Sequence, residues 1–487
     1  MQRNKFSLSH YKLLTMNMGN LVPVSWMEVL PGDTFQMRTN ALLRVQQLLH
    51  PVMHPCKVRI HHFFVPLEEI WDDFHDFITG GEDGTSTPTA PIISTTGAIA
   101  ESSLADYLGV PPATYTAFTY SALPFRAYAL IFNRYFRDQQ IVTELTIDTT
   151  SGTDSTTNTT LQSVAWGKDR FTTARSDTIL GSDVTIPLAA SAPIYGDGMD
   201  FDAVQDNQNT ANVLDGVGGS LKALRADGTQ LYGDSSAAGT GSLKADLTAA
   251  TGVDIEDLRL ALATQKYRER MNAFGARYAE YLRYIGIKGD GRIEPVDYLA
   301  GGSQTIAFSE VLSTDGANTG DMKGHGIAAV RSRRFRRFFR EHGILMTLMS
   351  VVPKSIYAQG LHKGFKRSTK EDYFQHEFQH IGDQAVLNSE IYTEHTTPGG
   401  TFGYSGRYDS YRTHPSNIAG EFHSTRNDWH MARIFGSDPA LNSTFINCSP
   451  TTRIYASGAT DQLMVMAGHS VQARRMMAKA SIPRLVG

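Results

Sequence analysis

The run CKVRIHHFFVP, residues 56–66, carries the strongest strand signal in this chain. With a period of two, Val58, Ile60, His62 and Phe64 share one face, which is largely apolar. The opposite face begins with charged residues and becomes aromatic at Phe63. β-Branched and aromatic residues dominate, and prolines bracket the run. The pattern predicts a sandwich strand with one face in the core and the other face only partly in contact with water.

The length and composition limit the possible classes of protein. The chain has 487 residues, whereas one core usually supports about 250–300 residues, so we expect two domains or one domain with long insertions. A content of 41% hydrophobic and 10% aromatic residues indicates a globular protein. No apolar run is long enough for a membrane helix, and the N-terminus shows no secretory signal. Two cysteines, Cys56 and Cys448, make no disulfide framework and favour a reducing compartment.

Further strands and a few helices are predicted along the chain. Residues 343–353 form a continuous apolar run that is typical of a fully buried strand, and residues 461–478 also resemble strand sequence. Residues 41–50 fit either a strand or a short helix. Apolar residues spaced by three and four predict amphipathic helices at 70–79 and 123–136.

One longer helix is predicted from Asp254 to Ile285, along which Met271, Phe274 and Tyr278 belong to a continuous apolar stripe. Residues 1–20 are polar and mixed, and they are expected to form an extended arm that lies on a neighbouring subunit or on the body of the protein. Residues 196–252 are rich in Gly, Ala, Ser and Asp, so we interpret them as an inserted loop that projects from the body. Strands with long irregular connections and few helices predict a mainly β protein, a β-sandwich with long insertions.

The strongest local charge feature is RSRRFRRFFR, residues 331–340, in which arginines alternate with phenylalanines. Guanidinium groups bind phosphates and aromatic faces stack on bases, so this run fits single-stranded nucleic acid. A solvated charged face, or ion pairs with another subunit, fits equally well. The candidate DNA-binding residues are Arg331, Arg333, Arg334, Arg336, Arg337 and Arg340, with Arg333, Arg334, Arg336 and Arg337 as the first choice for phosphate contact.

The charge of the whole chain limits how it meets nucleic acid. A net charge of −4 means that a local patch or a separate basic partner would have to provide the contact. A weaker basic cluster near the C-terminus consists of Arg474, Arg475, Lys479 and Arg484.

A possible metal motif is His376-Glu377-Phe378-Gln379-His380, which has the form H-E-x-x-H. On a helix its two histidines could bind Zn²⁺, with Glu377 as general base. The extended form of the motif requires a glycine and a third histidine, and this chain has Asp383 and Val386 there. We interpret His376, Glu377 and His380 as a chance match, and we expect no metal, no cofactor and no catalytic residues. The alternatives are a zinc-dependent hydrolase on a β-sandwich and a jelly-roll carbohydrate-binding module.

Several blocks occur in an order that points to a known family. They include MGNLVPVSWMEVLPGDTFQM (18–37), FNRYFRDQ (132–139), EHGILMTLMSVVP (341–353) and DQAVLNSEIY (383–392). In these blocks the chain resembles the major capsid protein of the Microviridae, the small single-stranded-DNA bacteriophages, and in particular the gokushovirus-type branch.

This resemblance implies a single eight-stranded viral jelly-roll domain over residues 1–487, in which the 196–252 insertion forms a surface protrusion. It implies a structural protein without enzymatic activity that self-assembles into a small T=1 icosahedral capsid around circular single-stranded DNA. The implied partners are other capsid subunits, the packaged DNA, a small basic DNA-binding virion protein, a minor pilot protein and a host surface receptor. The expected location is the virion, assembled in the bacterial cytoplasm, with no membrane contact.

Overall fold

The structure is a computed structural model that describes residues 3–182, 255–275, 277–286, 295–314, 319–458 and 461–479. It also describes the single residues Val184 and Gly316 and the backbone of short strands between 194 and 245. The chain divides into two compact units. The first unit comprises residues 1–178 and 272–487, and the second comprises residues 179–271.

Most of the regular structure is β. The strands described are β1 (Asn4–Ser7), β2 (His10–Met16), β3 (Val22–Val29), β4 (Thr34–Val45), β5 (Cys56–Pro66), β6 (Ile92–Ala98), β7 (Thr114–Ser121), β8 (Ile194–Gly196), β9 (Met199–Val204), β10 (Ala211–Asp215), β11 (Leu221–Asp227), β12 (Gln230–Gly233), β13 (Leu243–Ala245), β14 (Asp297–Thr305), β15 (Ala307–Leu312), β16 (Met322–Arg331), β17 (Phe335–Phe338), β18 (Gly343–Pro353), β19 (Asp383–Leu387), β20 (Thr401–Gly406) and β21 (Leu463–Arg475).

The helices are short, with one exception. They are α1 (Phe74–Thr79), α2 (Leu104–Leu108), α3 (Leu123–Ile131), α4 (Ile255–Phe274), α5 (Tyr278–Tyr284), α6 (Asp409–Arg412) and α7 (Ser443–Ile446). A π-helical turn, Phe132–Phe136, continues α3, and 3₁₀ turns occur at Lys363–Lys366, Lys370–Asp372, His376–His380, Asn388–Glu390, Gly420–His423 and Asn427–Trp429. In the described ranges no helix is both long and apolar enough to span a bilayer.

Two antiparallel sheets form the first unit's sandwich. Sheet 1 has the order β1-β21-β4-β16-β15, with β2 also paired to β21 and β17 to β4. Sheet 2 has the order β14-β5-β18-β3. We count β1 and β2 as one strand and leave out β15 and β17. The remaining strands of the two sheets, numbered 1 to 8 in chain order, are β1/β2, β3, β4, β5, β14, β16, β18 and β21. Sheet 1 then has the order 1-8-3-6, and sheet 2 has the order 2-7-4-5. The predicted β-sandwich is confirmed, and this order matches an eight-stranded jelly roll.

The interior lies between the two sheets. Val58 and Ile60 of β5 are fully buried there and belong to the same apolar cluster as Leu43 of β4 and Val465 of β21. Strand β18 is buried along its whole length, which agrees with its continuous apolar sequence. Strand β5 spans the predicted residues 56–66.

The N-terminal residues lie on the body of the first unit. Strands β1 and β2 pair with β21, so this segment is part of sheet 1. In β2 the residues that face away from the core include Tyr11 and Leu13, which are themselves apolar. The usual alternation of polar and apolar residues is therefore hidden in the sequence HYKLLTM.

The prediction of one helix from 254 to 285 was wrong, because the structure has two. Helix α4 ends at Phe274, and Gly275 has a φ of +101°, in the left-handed region that ends helices. Helix α5 then begins at Tyr278, and the Glu280 carboxylate accepts a hydrogen bond from the Arg277 backbone N–H (3.1 Å).

The inserted segment 196–252 contains regular structure and is not only a loop. In the second unit, β9 to β12 form an antiparallel sheet in the order β12-β11-β10-β9, and β13 pairs with β8. The sequence Asp227-Gly228, which begins at the last residue of β11, is a typical hairpin signal. The segment can form strands because short runs that contain leucine or valine alternate with residues typical of turns. The overall Gly, Ala, Ser and Asp content of the segment conceals these short runs.

Candidate nucleic-acid interface

The arginine run crosses the boundary between two strands of sheet 1. Strand β16 ends at Arg331, residues 332–334 form a link, and β17 then pairs with β4. All six arginines of the run are exposed. Phe339 is buried and Phe335 is half-buried in one apolar cluster, so these two rings anchor the run to the sandwich. Only Phe338 of the three rings is exposed, which limits base stacking within the run to this residue.

The link between the strands is fixed from the inside. The hydroxyl of buried Ser332 accepts a hydrogen bond from the Thr39 backbone N–H (2.9 Å) and lies 2.9 Å from His62 Nε2. On the side of sheet 2, a Cβ added to Gly302 would lie 2.4 Å from the Arg331 carbonyl oxygen. Only glycine allows strand β14 to approach this link so closely, and the arginines on either side of Ser332 are held in place as a result.

Two arginines of the run lie on the face of sheet 1 that points away from the core. Arg331 is paired in register with Asn40 of β4, and Arg336 with Gln36. Directly opposite residues of an antiparallel pair project to the same side of the sheet. We call this side the outer face of sheet 1.

Arg337 has a different environment from its neighbours. It is paired with the buried Phe35, and its guanidinium donates a hydrogen bond to the Asp297 carboxylate of β14 (3.0 Å). The charge of Arg337 is thus partly neutralised within the chain. Among the described residues, Arg337 is the only arginine of the six that forms an ion pair, and its partner is Asp297.

Sequence reasoning missed several basic residues on the same outer face. Arg38 and Arg44 of β4 have the same strand parity as Gln36 and Asn40, and Arg44 is exposed. Burial and the nearby charges of Arg331 and Arg334 lower the pKa of Arg38, which shows how closely these cations are grouped. The period-two pattern of residues 34–45 could have revealed the face, but its pairing with β16 depends on distant sequence.

The charge of sheet 1 is strongly one-sided. Its strands contain a single carboxylate, Glu310. The basic residues of the same strands are Lys5, Lys12, Arg38, Arg44, Lys323, Arg331, Arg336, Arg337, Arg474 and Arg475. Although the whole chain carries a net charge of −4, this sheet presents a positive surface suited to a polyanion.

The C-terminal basic cluster divides in a similar way. Arg474 is exposed and is paired with Thr34 on the outer face. Arg475 instead donates a hydrogen bond to the buried carboxylate of Asp33 (3.0 Å). Lys479 is exposed, and Arg484 lies outside the described residues.

The H-E-x-x-H sequence does not have the geometry of a zinc motif. Residues His376–His380 form a 3₁₀ turn, in which residues four apart are separated by about 120° around the axis. His376, Glu377 and His380 are all exposed. Across the described residues, no group of three or more His, Cys, Asp or Glu side chains is arranged to hold a metal ion.

The two thiols are also unsuited to nucleophilic chemistry. Cys56 and Cys448 are buried and unpaired with each other. Burial raises the pKa of both thiols well above the ordinary value, which disfavours the thiolate.

Comparison with known proteins identifies the family. A family model described as Capsid protein (F protein) matches residues 1–485. The chain belongs to this family. It is similar to capsid protein VP1 of Bdellovibrio phage phiMH2K, with 34% identity over 91% of this chain and 87% of the relative. For capsid protein VP1 of Chlamydia phage 1, the identity is 30% over 91% of this chain and 89% of the relative.

The similarity extends to capsid protein VP1 of Spiroplasma virus 4, with 27% identity over 99% of this chain and 95% of the relative. The predicted resemblance to phage capsid proteins is confirmed. This capsid protein is a structural subunit that assembles with other copies in a virion, and it is not an enzyme. The hydrolase and carbohydrate-binding alternatives are therefore set aside.

Proposed function

We propose that this capsid protein is the major shell subunit of a small T=1 icosahedral capsid around circular single-stranded DNA, and that the outer face of sheet 1 contacts the DNA. The observation that carries the DNA contact is the charge of this sheet, whose strands carry one carboxylate, Glu310, among many basic residues. Phosphate groups would bind the exposed Arg331 and Arg336 of this face and the exposed Arg334 in the link between β16 and β17.

The remaining partners fit the same proposal. A chain with a net charge of −4 cannot neutralise a packaged genome alone, which favours a small basic DNA-binding virion protein as a second component. We further propose a minor pilot protein, a host receptor, assembly in the bacterial cytoplasm, and a surface protrusion formed by the 196–252 insertion.

The DNA contact can be tested by replacing Arg331, Arg334 and Arg336 with glutamine. For binding of the full-length protein to single-stranded DNA, we expect weaker affinity and a shallower dependence of log affinity on log salt. The slope should decrease by about 0.7 for each phosphate contact removed, because fewer counterions are released. DNA content of purified particles, measured by absorbance, should fall as well.

A control variant, which removes two positive charges where the test variant removes three, replaces two exposed arginines that have carboxylate partners elsewhere, Arg412 (with Asp409) and Arg426 (with Glu421). This control changes the net charge without altering sheet 1, so its salt slope should equal that of the wild type. An unchanged slope and unchanged DNA content in the sheet 1 variant would disprove the assignment of this face to DNA.

A further inference from the structure

The outer face of sheet 1 is apolar as well as basic. Tyr11 and Leu13 of β2 are 80% and 78% exposed, and Met464 and Met466 of β21 are 48% and 43% exposed. Side chains of this kind are usually covered in a stable fold, because exposed apolar surface is unfavourable in water. Four of them on adjacent strands make one continuous apolar surface.

The register of the strands arranges this surface in rows. Leu13 is paired with Met466, Met466 with Leu42, and Leu42 with Ala329, so one apolar row crosses four strands. In the next row toward β17, Tyr11 is paired with Gly468, and Arg331 lies across the sheet from it, paired with Asn40.

The row on the other side of the apolar row also combines apolar and charged residues. It contains Thr15, Met464, Arg44 and Ile327. A guanidinium therefore stands in each row that flanks the apolar one.

Two hollows follow these rows. One encloses about 720 Å³ and is lined by residues that include Tyr11, Leu42, Arg331 and Met466. The other encloses about 510 Å³ and is lined by residues that include Leu13, Arg44 and Met464.

Tyr11 lines the first hollow, and its side chain is largely exposed. A Cβ added to Gly468 would lie 2.9 Å from the nearest ring carbon of Tyr11, so one edge of the ring is close to this glycine of β21. A side chain at position 468 would therefore push the ring aside. An exposed aromatic ring can stack on a planar ligand.

From this geometry we infer that the outer face of sheet 1 binds the bases of single-stranded nucleic acid, with Tyr11 as a stacking platform and Leu13, Met464 and Met466 as apolar contacts. Arg44 and Arg331 bind the phosphates on either side. This inference rests on the proposed DNA contact and adds a subsite for the bases. Single-stranded nucleic acid combines a polyanionic backbone with exposed planar faces, and both features match the surface.

Charge argues against a second copy docking symmetrically on the same face. A symmetric contact would bring Arg44 and Arg331 of two subunits close together, and like charges in an interface are strongly unfavourable. A polyanion has no such repulsion.

The test compares two oligonucleotides of equal length and charge, an oligothymidylate and an abasic strand. The full-length wild-type protein should bind the oligothymidylate about fivefold more tightly or better, because stacked bases contribute affinity that the abasic strand lacks. Tyr11→Ala with Met466→Ser should remove most of this preference while leaving the salt slope unchanged, since no charge is altered.

A second variant tests the base subsite without truncating any side chain, in case the first variant does not fold. Gly468→Ala should displace the Tyr11 ring and weaken the preference for the oligothymidylate, while all exposed side chains remain. Equal wild-type affinity for the two strands would overturn the base subsite. If the arginine variants still reduced the salt slope, the proposed DNA contact would survive that result. The base subsite would also be overturned if the Tyr11→Ala/Met466→Ser variant and the Gly468→Ala variant both kept the preference for the oligothymidylate. It would likewise be overturned if the protein did not bind DNA and instead self-associated through this face in a way that these substitutions changed.

Discussion

The two sheets of the sandwich differ in what covers their outer faces. On sheet 2, Phe63 and Val65 of β5 are buried against a cluster that includes Phe125 and Tyr128 of α3. On sheet 1, the corresponding apolar residues Tyr11, Leu13 and Met466 remain exposed. Among the residues that the structure describes, helix α3 covers one face, and the other face is left bare.

This difference shows that the exposed apolar surface of sheet 1 is a specific feature of that sheet and not a general consequence of the length of the chain. The cover of sheet 2 is held in place by a buried ion pair, in which Arg126 Nε lies 2.8 Å from the Asp154 carboxylate. Arg126 also donates hydrogen bonds to the carbonyl oxygens of Ile70 and Thr150 (3.0 Å each). Contacts within the chain stabilise one face, and a partner that is not part of the first unit's sandwich would complete the other.

The largest expected effect comes from truncating matched residues on the two faces. Phe63→Ala should lower the free energy of unfolding by about 3–5 kcal/mol, because it leaves a cavity under α3. Met466→Ala should change it by no more than about 0.5 kcal/mol, because its side chain is already exposed to solvent. Denaturant titration of both variants measures the difference. Equal losses would show that the outer face of sheet 1 is covered within the folded chain.

The second prediction concerns two buried histidines in the interior between the two sheets. Burial lowers the pKa of His62 to about 3, and the nearby basic groups His469 and His61 add to the shift. Burial lowers the pKa of His469 to about 4, and His10 and Lys12 add to that shift. Below pH 6.5, the ordinary histidine pKa, the unfolded chain therefore binds more protons than the folded chain. Stability should fall by at least about 2 kcal/mol as the pH drops toward 4.

Chemical denaturation at a series of pH values checks this expectation. His62→Gln should reduce the slope, because a residue that takes up a proton on unfolding is removed. His376→Gln, at an exposed position, is the control and should follow the wild type. If His62→Gln kept the full pH dependence, the interior histidine would not be its source.

The covered face was easier to predict from the sequence than the bare one. Strands β5 and β18 were predicted over the residues they occupy, since both are rich in apolar residues and end near prolines. Strand β2 was missed because its outer residues are apolar, so no alternation was visible. A pattern that marks strands by one polar face fails where that face is itself apolar.

The site shows the same limit. The sequence made Arg331 and Arg336 candidates because they lie in a dense run, whereas Arg38 and Arg44 are isolated in β4. They join the same face only through the pairing of β4 with β16 and β21, which are distant in sequence. Long-range register cannot be obtained from local composition.

The smallest expected effect separates two arginines of the same run. Arg337 is paired with Asp297 at a partly exposed position, so Arg337→Gln should cost only about 0–1 kcal/mol of stability. Arg331→Gln should cost no more than about 0.5 kcal/mol of stability, because Arg331 is exposed.

DNA binding should distinguish the two variants, because Arg331 lies on the outer face of sheet 1 and Arg337 projects toward the edge near sheet 2. The Arg331 variant should therefore reduce the salt slope and the Arg337 variant should leave it nearly unchanged. Equal reductions would show that DNA also contacts the edge of the sandwich. The DNA-binding surface would then extend past β17 of sheet 1 to β14 and β5 of sheet 2.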